Sequence, residues 1–535
     1  MSVRRRRVGL GRLRRPGYGL TLGLITAIGA VLRLALLARQ PLGIDEDFTA
    51  AVVIRPLGEM LAVVSRDSAP PLFYVLEWPV AQLSHGPAAL RLVPALAGIA
   101  LLPLRAALAR RVAGDGAGLW AAALVAILPT TVLASENARM YAPAGTLVVA
   151  ATLLLWRAVE RSAVGPPRSE PPAAQPPRGT LWAAYGVVAA AAVWTDYFAA
   201  VALAGVLAAL AWLRPPRRTL VLAGLTTVLA FASLSPWLVF AQAQLEHAGQ
   251  GFWIPPLSPE TIAGTFGQLF AGPPVDPGVP GRDVLVALQV IAVAAASVAL
   301  AAVAFAPAGW RRLTPSGRRA AGFLLLACSG VVALAAVSVW HPILEARYAG
   351  VMWLPLFALG GAGLAALPRR LAGGLLVAVA VPSLALGTAI THPETASLLP
   401  EIESRVGPHD LVAADPNHYL LLLADASPTV RARLHVLAAS DPPWYFGTAA
   451  YPPDAVIHSV PAAVTAAGGT IFYVADPGAA PPLLPPGYVR LDQRCLVEVC
   501  LTTYGPNGES SSSDATRRKE MGGLAVSRPP ISPPR

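Results

Sequence analysis

Apolar runs long enough to cross a bilayer recur through the first 391 residues, separated by short polar segments. A helix rises about 1.5 Å per residue, so about 20 apolar residues reach across the hydrocarbon core. Read on that basis the chain carries eleven spans, at 20–38, 88–104, 116–134, 141–157, 181–195, 198–213, 219–242, 283–305, 319–340, 349–367 and 371–391. The short pair flanking TDYF at 195–198 also reads as one bent helix, which would invert every later assignment. After residue 391 the pattern changes: runs of strand length (DLVAAD, ARLHVLAA, TIFYVAD) alternate with helix-like stretches, which predicts a small α/β domain. From residue 505 the chain is Ser-rich, then basic and Pro-rich, and reads as a disordered tail.

Composition agrees with a membrane protein. Hydrophobic residues make up 55% of the chain and charged residues 13%, where a soluble protein averages about 25%. The net charge of +11 suggests nucleic acid only until its distribution is read. The cations are nearly all arginines clustered between spans, and Lys519 is the one lysine, so nucleic acid is excluded as a partner. With the N-terminus inside, 23 arginines border the inner side and 7 the outer, which fixes the orientation. The apolar run from Leu20 to Ala38 is too long for a signal peptide and reads as an uncleaved anchor.

The predicted fold is therefore a polytopic α-helical membrane protein with a small C-terminal extracytoplasmic α/β domain. Residues 1–19 form a basic cytoplasmic tail, 20–391 the transmembrane domain, 392–504 the α/β domain and 505–535 the disordered tail. The loop 159–180 is a Pro-rich inner linker, and PETIAGTFGQLFAGP in the outer loop 243–282 is weakly amphipathic, suited to lying on the interface or capping a cavity. Cys328 lies within a span, while Cys495 and Cys500 fall on the oxidising side. Their odd separation puts them on opposite faces of a continuous strand, so bridging them requires a turn between.

Acids concentrate on the outer side, where five polar segments converge: IDEDFTA (44–50), DSAPPLFY (67–74), SENARMYA (135–142), WTDYF (194–198) and WHPILEARYAG (340–350). Taken singly each has an ordinary explanation. Glu136 and Arg139 suit a local ion pair, Asp196 a helix cap, and His341 an interfacial turn. Gathered on one surface they suit chemistry. A carboxylate can take the proton of an attacking hydroxyl, and guanidinium groups can hold a phosphate and the charge it gains on leaving. No nucleotide sugar is expected outside, so the donor would be a lipid-linked phosphate sugar.

These residues resemble the GT-C superfamily of polyprenyl-phosphate-sugar-dependent glycosyltransferases, in the branch of protein O-mannosyltransferases and aminoarabinose transferases. Asp45 and Glu46, followed by Thr49, are similar to its first-loop acidic pair. Asp67, Pro70, Pro71 and Leu72 are similar to its D-x-H-P-P-L-Y segment, with Ala69 in the place of the histidine. Glu136, Arg139 and Tyr141 are similar to an E-x-R-x-Y element, and Arg347, Tyr348 and Pro355 to a late R-Y…P element. The resemblance covers residues 20–391. It implies a glycosyltransferase moving a sugar of the mannose or arabinose class from a polyprenyl-phosphate donor to a glycan, lipid or protein acceptor. Asp45 would be the base; Glu46 and Asp67 would orient it, bind acceptor or share a divalent cation. Arg139 or His341 would replace the missing histidine. Glu136, Tyr141, Asp196, Arg347 and Tyr348 complete the predicted substrate-binding set. A transporter or flippase for a lipid-linked or anionic substrate, and a non-catalytic scaffold, stand as the alternatives.

Overall fold

The computed structural model describes residues 17–35, 37–163, 178–247, 253–273, 275, 281–305, 313–389, 395–479, 483–496 and 499–507. The basic N-terminal cluster, most of the Pro-rich loop and nearly all of the C-terminal tail lie outside these. Two compact units emerge: one of Met1–Ala396 with Leu420–Ala424 and Pro442–Pro452, the other of Ser397–Tyr419, Asp425–Asp441 and Pro453–Arg535. The boundary expected at 392 is thus interrupted by two later segments that pack with the first unit.

The first unit is helical. It opens with α1 (Tyr18–Leu34), α2 (Ile44–Val53), α3 (Leu57–Val64), α4 (Leu72–Leu83), the single turn α5 (Pro87–Leu90) and the long α6 (Leu92–Ile127). There follow α7 (Pro129–Ser135) and α8 (Tyr141–Ala163). The segment between the first two expected spans, read as an outer loop, is therefore folded into short helices. Three acids, Asp45, Glu46 and Asp47, occupy the first turn of α2, where they complement its N-terminal dipole.

Helix α6 is two helices end to end. At Ala113 (φ −142°) and Gly114 (φ 77°) the backbone leaves the helical region, and glycine supplies the left-handed conformation at little cost. The expected inner connection at 105–115 is accordingly shorter than predicted: Arg105 is inside the helix and fully buried. Leu128 is extended because Pro129 follows it, which ends α6 and starts α7.

Five described helices are long and apolar enough to cross a membrane: Leu92–Ile127, Tyr141–Ser162, Arg217–Phe240, Arg282–Ala302 and Pro315–Val337. A sixth is the pair Ala346–Met352 and Pro355–Ala366, bent by 69° where Pro355 removes a helical hydrogen bond. Tyr18–Leu34, Gly179–Thr195 and Phe198–Trp212 are apolar but shorter. The helix Ala346–Ala366 packs closely on α6, where a side chain at Gly361 would collide with Ala117 and Ala121.

The second unit holds a six-stranded sheet: β1 (Leu411–Ala414), β2 (Leu434–Leu437), β3 (Val456–Ile457), β4 (Ile471–Ala475), β5 (Tyr488–Cys495) and β6 (Cys500–Pro506), in the order β3-β2-β1-β4-β6-β5. The first four are parallel; β4 pairs antiparallel with β6, and β6 with β5. β1 and β4 are buried throughout, as parallel strands in the middle of a sheet are. Cys495 and Cys500 face each other on the paired strands β5 and β6 and form a disulfide, which two residues of one continuous strand at that separation do not. β6 runs through Pro506, two residues past the expected end of the α/β domain at 504.

Candidate functional site

The site is assembled on a buried ion pair. Glu46, in the first turn of α2, is fully buried and accepts four hydrogen bonds: from Arg91 Nε (2.7 Å) and Nη2 (2.5 Å), from the Gly43 amide (2.8 Å) and from the Ala138 amide (2.8 Å). Arg91 spends its other donors on the carbonyls of Leu37 (2.9 Å), Gln40 (3.0 Å) and Pro41 (2.8 Å). All five guanidinium N–H groups are satisfied. One residue pair thus ties three segments together: the strap 37–41, the start of α2 and the loop 136–140.

A second buried arginine fixes α7, the helix that leads into that loop. Arg33 of α1 is fully buried. It donates to Ser135 Oγ (3.1 Å), Thr131 Oγ1 (3.4 Å) and the carbonyls of Gly29 (3.1 Å), Val125 (3.1 Å) and Ala126 (3.1 Å). The last two belong to the end of α6, whose final carbonyls have no helical partner and need donors. Gly98 leaves room for this cluster, since a side chain there would strike Ser135.

On this base the chemistry-bearing side chains face a cleft. Asp45 forms an ion pair with Arg347, at the start of the helix Ala346–Ala366, and its side chain is 46% exposed. Arg347 also lies over the ring of Trp253 (5.1 Å to the centroid) and 3.9 Å from Glu345. Among the described residues Arg139 makes only long contacts, 3.3 Å to the Asp45 carbonyl and 3.5 Å to the Tyr74 hydroxyl, and its buried Nε finds no acceptor there. A guanidinium held with spare donors beside a cleft is suited to an incoming anion. Tyr348 stacks on Phe198 (4.4 Å, 17°) and is 6.2 Å from the Tyr141 ring.

Asp67 is positioned by a polar relay. Gln244 donates to the carbonyls of Val64 (2.7 Å) and Ala69 (3.1 Å), on either side of Asp67, and accepts from Tyr197 (2.6 Å). Tyr197 in turn accepts from Trp237 (3.0 Å). Ala69, where the resembling motif has histidine, is buried and adds no polar group.

Two compartments meet at these residues. One is a cavity of about 330 Å³ with mostly apolar walls, among them Leu101, Leu133, Leu269, Val351 and Phe357. The other is a cup of about 80 Å³ formed by Asp45, Asp67, Arg139, Trp253, Tyr348 and the late segment Trp444–Gly447. Asp45, Tyr141 and Arg347 line both.

Of the predicted set, Asp45, Asp67, Arg139, Tyr141, Arg347 and Tyr348 surround this junction. Glu46 faces away from it, its two oxygens taken by Arg91 and two amides. Asp196 accepts from the Phe198 amide (2.8 Å), capping the helix that begins there. Glu136 borders neither compartment; burial pushes its carboxyl up to about 7, though Arg33 and Arg91 pull it back. His341 is exposed and also lies off both compartments, so it does not take the place of the motif histidine. Asp45, Glu46 and Asp67 do not gather as a metal site, because Glu46 is already saturated. Sequence reading missed Arg91, Arg33, Tyr74, Gln244 and Trp253. It also missed the aromatic run 444–446, which it assigned to the α/β domain.

No family model matches the sequence, and no curated protein matches it. Solved structures do. ArnT from Cupriavidus metallidurans bound to undecaprenyl phosphate superposes with a TM-score of 0.54 at 15% identity, over 91% of this chain and 98% of that one. The Archaeoglobus fulgidus oligosaccharyltransferase in the apo form gives 0.51 at 13% identity, over 79% of this chain and 64% of that one. At such identities the likeness shows the fold alone. The chain shares the fold of these two proteins.

Proposed function

We propose that the protein is a membrane glycosyltransferase that moves a sugar from a polyprenyl-phosphate donor to an extracytoplasmic glycan, lipid or protein acceptor by one inverting displacement. The observation that carries this reading is the junction at Asp45, Tyr141 and Arg347. An apolar cavity suited to a lipid chain meets a charged, aromatic cup suited to a hydroxylated acceptor there. The lipid named for the ArnT structure, undecaprenyl phosphate, is the carrier part of the donor class proposed here.

In this mechanism the donor phosphate lies against Arg139 and Arg347. Arg139 offers spare donors at once; Arg347 exchanges Asp45 for the phosphate, which releases the carboxylate toward the cup. Asp45 then accepts the proton of the acceptor hydroxyl as its oxygen attacks the anomeric carbon on the face opposite the phosphate. The bond from that carbon to the phosphate oxygen breaks, its electron pair stays with the phosphate, and the two guanidinium groups stabilise the added charge. Asp67 faces the acceptor side. Glu46 is a positioning residue: it holds the first turn of α2, and with it Asp45, against the loop that carries Arg139. The carboxylates present do not fit a shared divalent cation, and no step passes through one. The sugar class follows the resemblance, mannose or arabinose.

Purified protein incubated with a panel of polyprenyl-phosphate sugars should release lipid phosphate and invert the anomeric configuration. Transport of a labelled substrate into sealed vesicles with no covalent transfer would overturn the reading in favour of a carrier.

A further inference from the structure

In the second unit, Asp415 follows the last residue of β1, and Asp476 the last residue of β4. These are parallel neighbours, and β2 and β3 lie on the far side of β1. After β1 the chain therefore builds outward in one direction, and β4 is added in the other. That makes the β1–β4 boundary a topological switch point, and in open α/β sheets ligands bind outside the carboxyl ends of the strands at such a point. His418 sits in the first turn of the helix Pro416–Asp425, which starts from the same end of β1.

One ligand atom from each of Asp415, His418 and Asp476 falls within 4.8 Å of the others, and no other group of three such side chains does so among the described residues. His418 is fully buried, and its Nε2 is 3.0 Å from Asp476 Oδ1. Asn417 holds the other Asp476 oxygen at 2.8 Å, so the carboxylate is turned toward the imidazole. The Asp415 oxygens accept from the backbone amides of His418 (3.0 Å) and Asp476 (3.2 Å), each keeping a second lone pair. Around an ion with bonds of about 2.1 Å, two ligands at right angles stand about 3.0 Å apart. The spacing of His418 Nε2 and Asp476 Oδ1 matches that edge.

We propose that Asp415, His418 and Asp476 form a divalent-cation site. One imidazole with two carboxylates and open positions suits a transition ion such as Mn²⁺ or Zn²⁺ better than Ca²⁺. Binding replaces the proton shared by His418 and Asp476, and it braces the two strand ends. The site is independent of the glycosyltransferase reading, since none of its residues belongs to the Asp45 cleft.

The test is Mn²⁺ titration of the full-length protein in detergent, followed by pulsed electron paramagnetic resonance for nitrogen coupled to the metal. One Mn²⁺ per chain with an imidazole nitrogen signal is expected. Asp45→Asn should keep both. His418→Gln, which retains a donor to Asp476, should lose the nitrogen signal and at least tenfold in affinity, with the far-UV circular dichroism and unfolding midpoint of the metal-free protein unchanged. Asp476→Asn should lose the bound ion. The proposal is overturned if the wild type binds no Mn²⁺, if the nitrogen signal survives in His418→Gln, or if Asp45→Asn abolishes binding.

Discussion

Asp45 and Glu46 are adjacent acids in the same helical turn, and removing the charge from each should have opposite consequences. The Asp45 side chain is 46% exposed and that of Arg347 27%, and an ion pair in that setting contributes about 0–1 kcal/mol. Asp45→Asn should therefore leave the unfolding midpoint nearly unchanged. As the loss of a general base it should lower kcat by roughly 10²- to 10⁴-fold. Glu46 and Arg91 are 0% and 2% exposed. Glu46→Gln strands a buried guanidinium, at a cost of about 3–5 kcal/mol. At about 1.4 kcal/mol per tenfold this shifts the folded-to-unfolded ratio by roughly 10²- to 4 × 10³-fold. Whatever fraction stays folded should keep measurable turnover, because Glu46 does not reach the cleft. The pair Glu46→Leu with Arg91→Met removes both charges and should recover much of the stability lost by either alone. The assay is a thermal unfolding series in detergent beside donor turnover per folded molecule. The reasoning fails if Asp45→Asn destabilises as much as Glu46→Gln, or if the double variant is worse than both single ones.

Three further outcomes follow from the same geometry. Arg139→Lys keeps the charge but not the planar fork, so it should raise KM for the donor at least tenfold with little change in unfolding midpoint, as donor titrations would show. Gln244→Leu cuts the relay that holds the carbonyls on either side of Asp67. It should weaken acceptor affinity while leaving donor binding in place, and equal losses for both substrates would argue against it. The pH dependence rests on Glu136, whose carboxyl is raised by burial from the ordinary 4.5 to about 7. Between those values the native state keeps a proton that the unfolded chain has lost. Stability should therefore fall as pH rises from about 4.5 to about 7, by at most about 1.4 kcal/mol per unit, and then level off. Glu136→Gln should flatten that slope in midpoints measured from pH 5 to 8.

What the sequence disclosed and what it hid divide along a physical line. Residues whose side chains must face a cleft carry their signal in composition: acids and arginines at the ends of apolar runs are costly enough to be noticed. Asp45, Arg139 and Arg347 are visible for that reason, although nearly 100 and 300 residues separate the first from the other two. Glu46 bears the same signal and does a different job, because one residue along a helix turns a side chain by about 100°. Nothing in the string IDED says which acid faces in. That information lies in Arg91, and Arg91 reads like any arginine bordering a span. Arg33 hides in the same way: three of its five partners are backbone carbonyls, and backbone groups leave no mark in a sequence. The aromatic run Trp444–Phe446 was illegible for a third reason. Domain boundaries were drawn where hydropathy changes, whereas Pro442–Pro452 packs with the helical unit from within the α/β region. If the cup reads the acceptor through those rings, the segment that selects the acceptor lies outside the stretch that carries the family resemblance. Replacing 444–446 by alanines would then change which acceptor is used while donor hydrolysis in its absence continues. Loss of donor hydrolysis as well would place those rings with the phosphate instead.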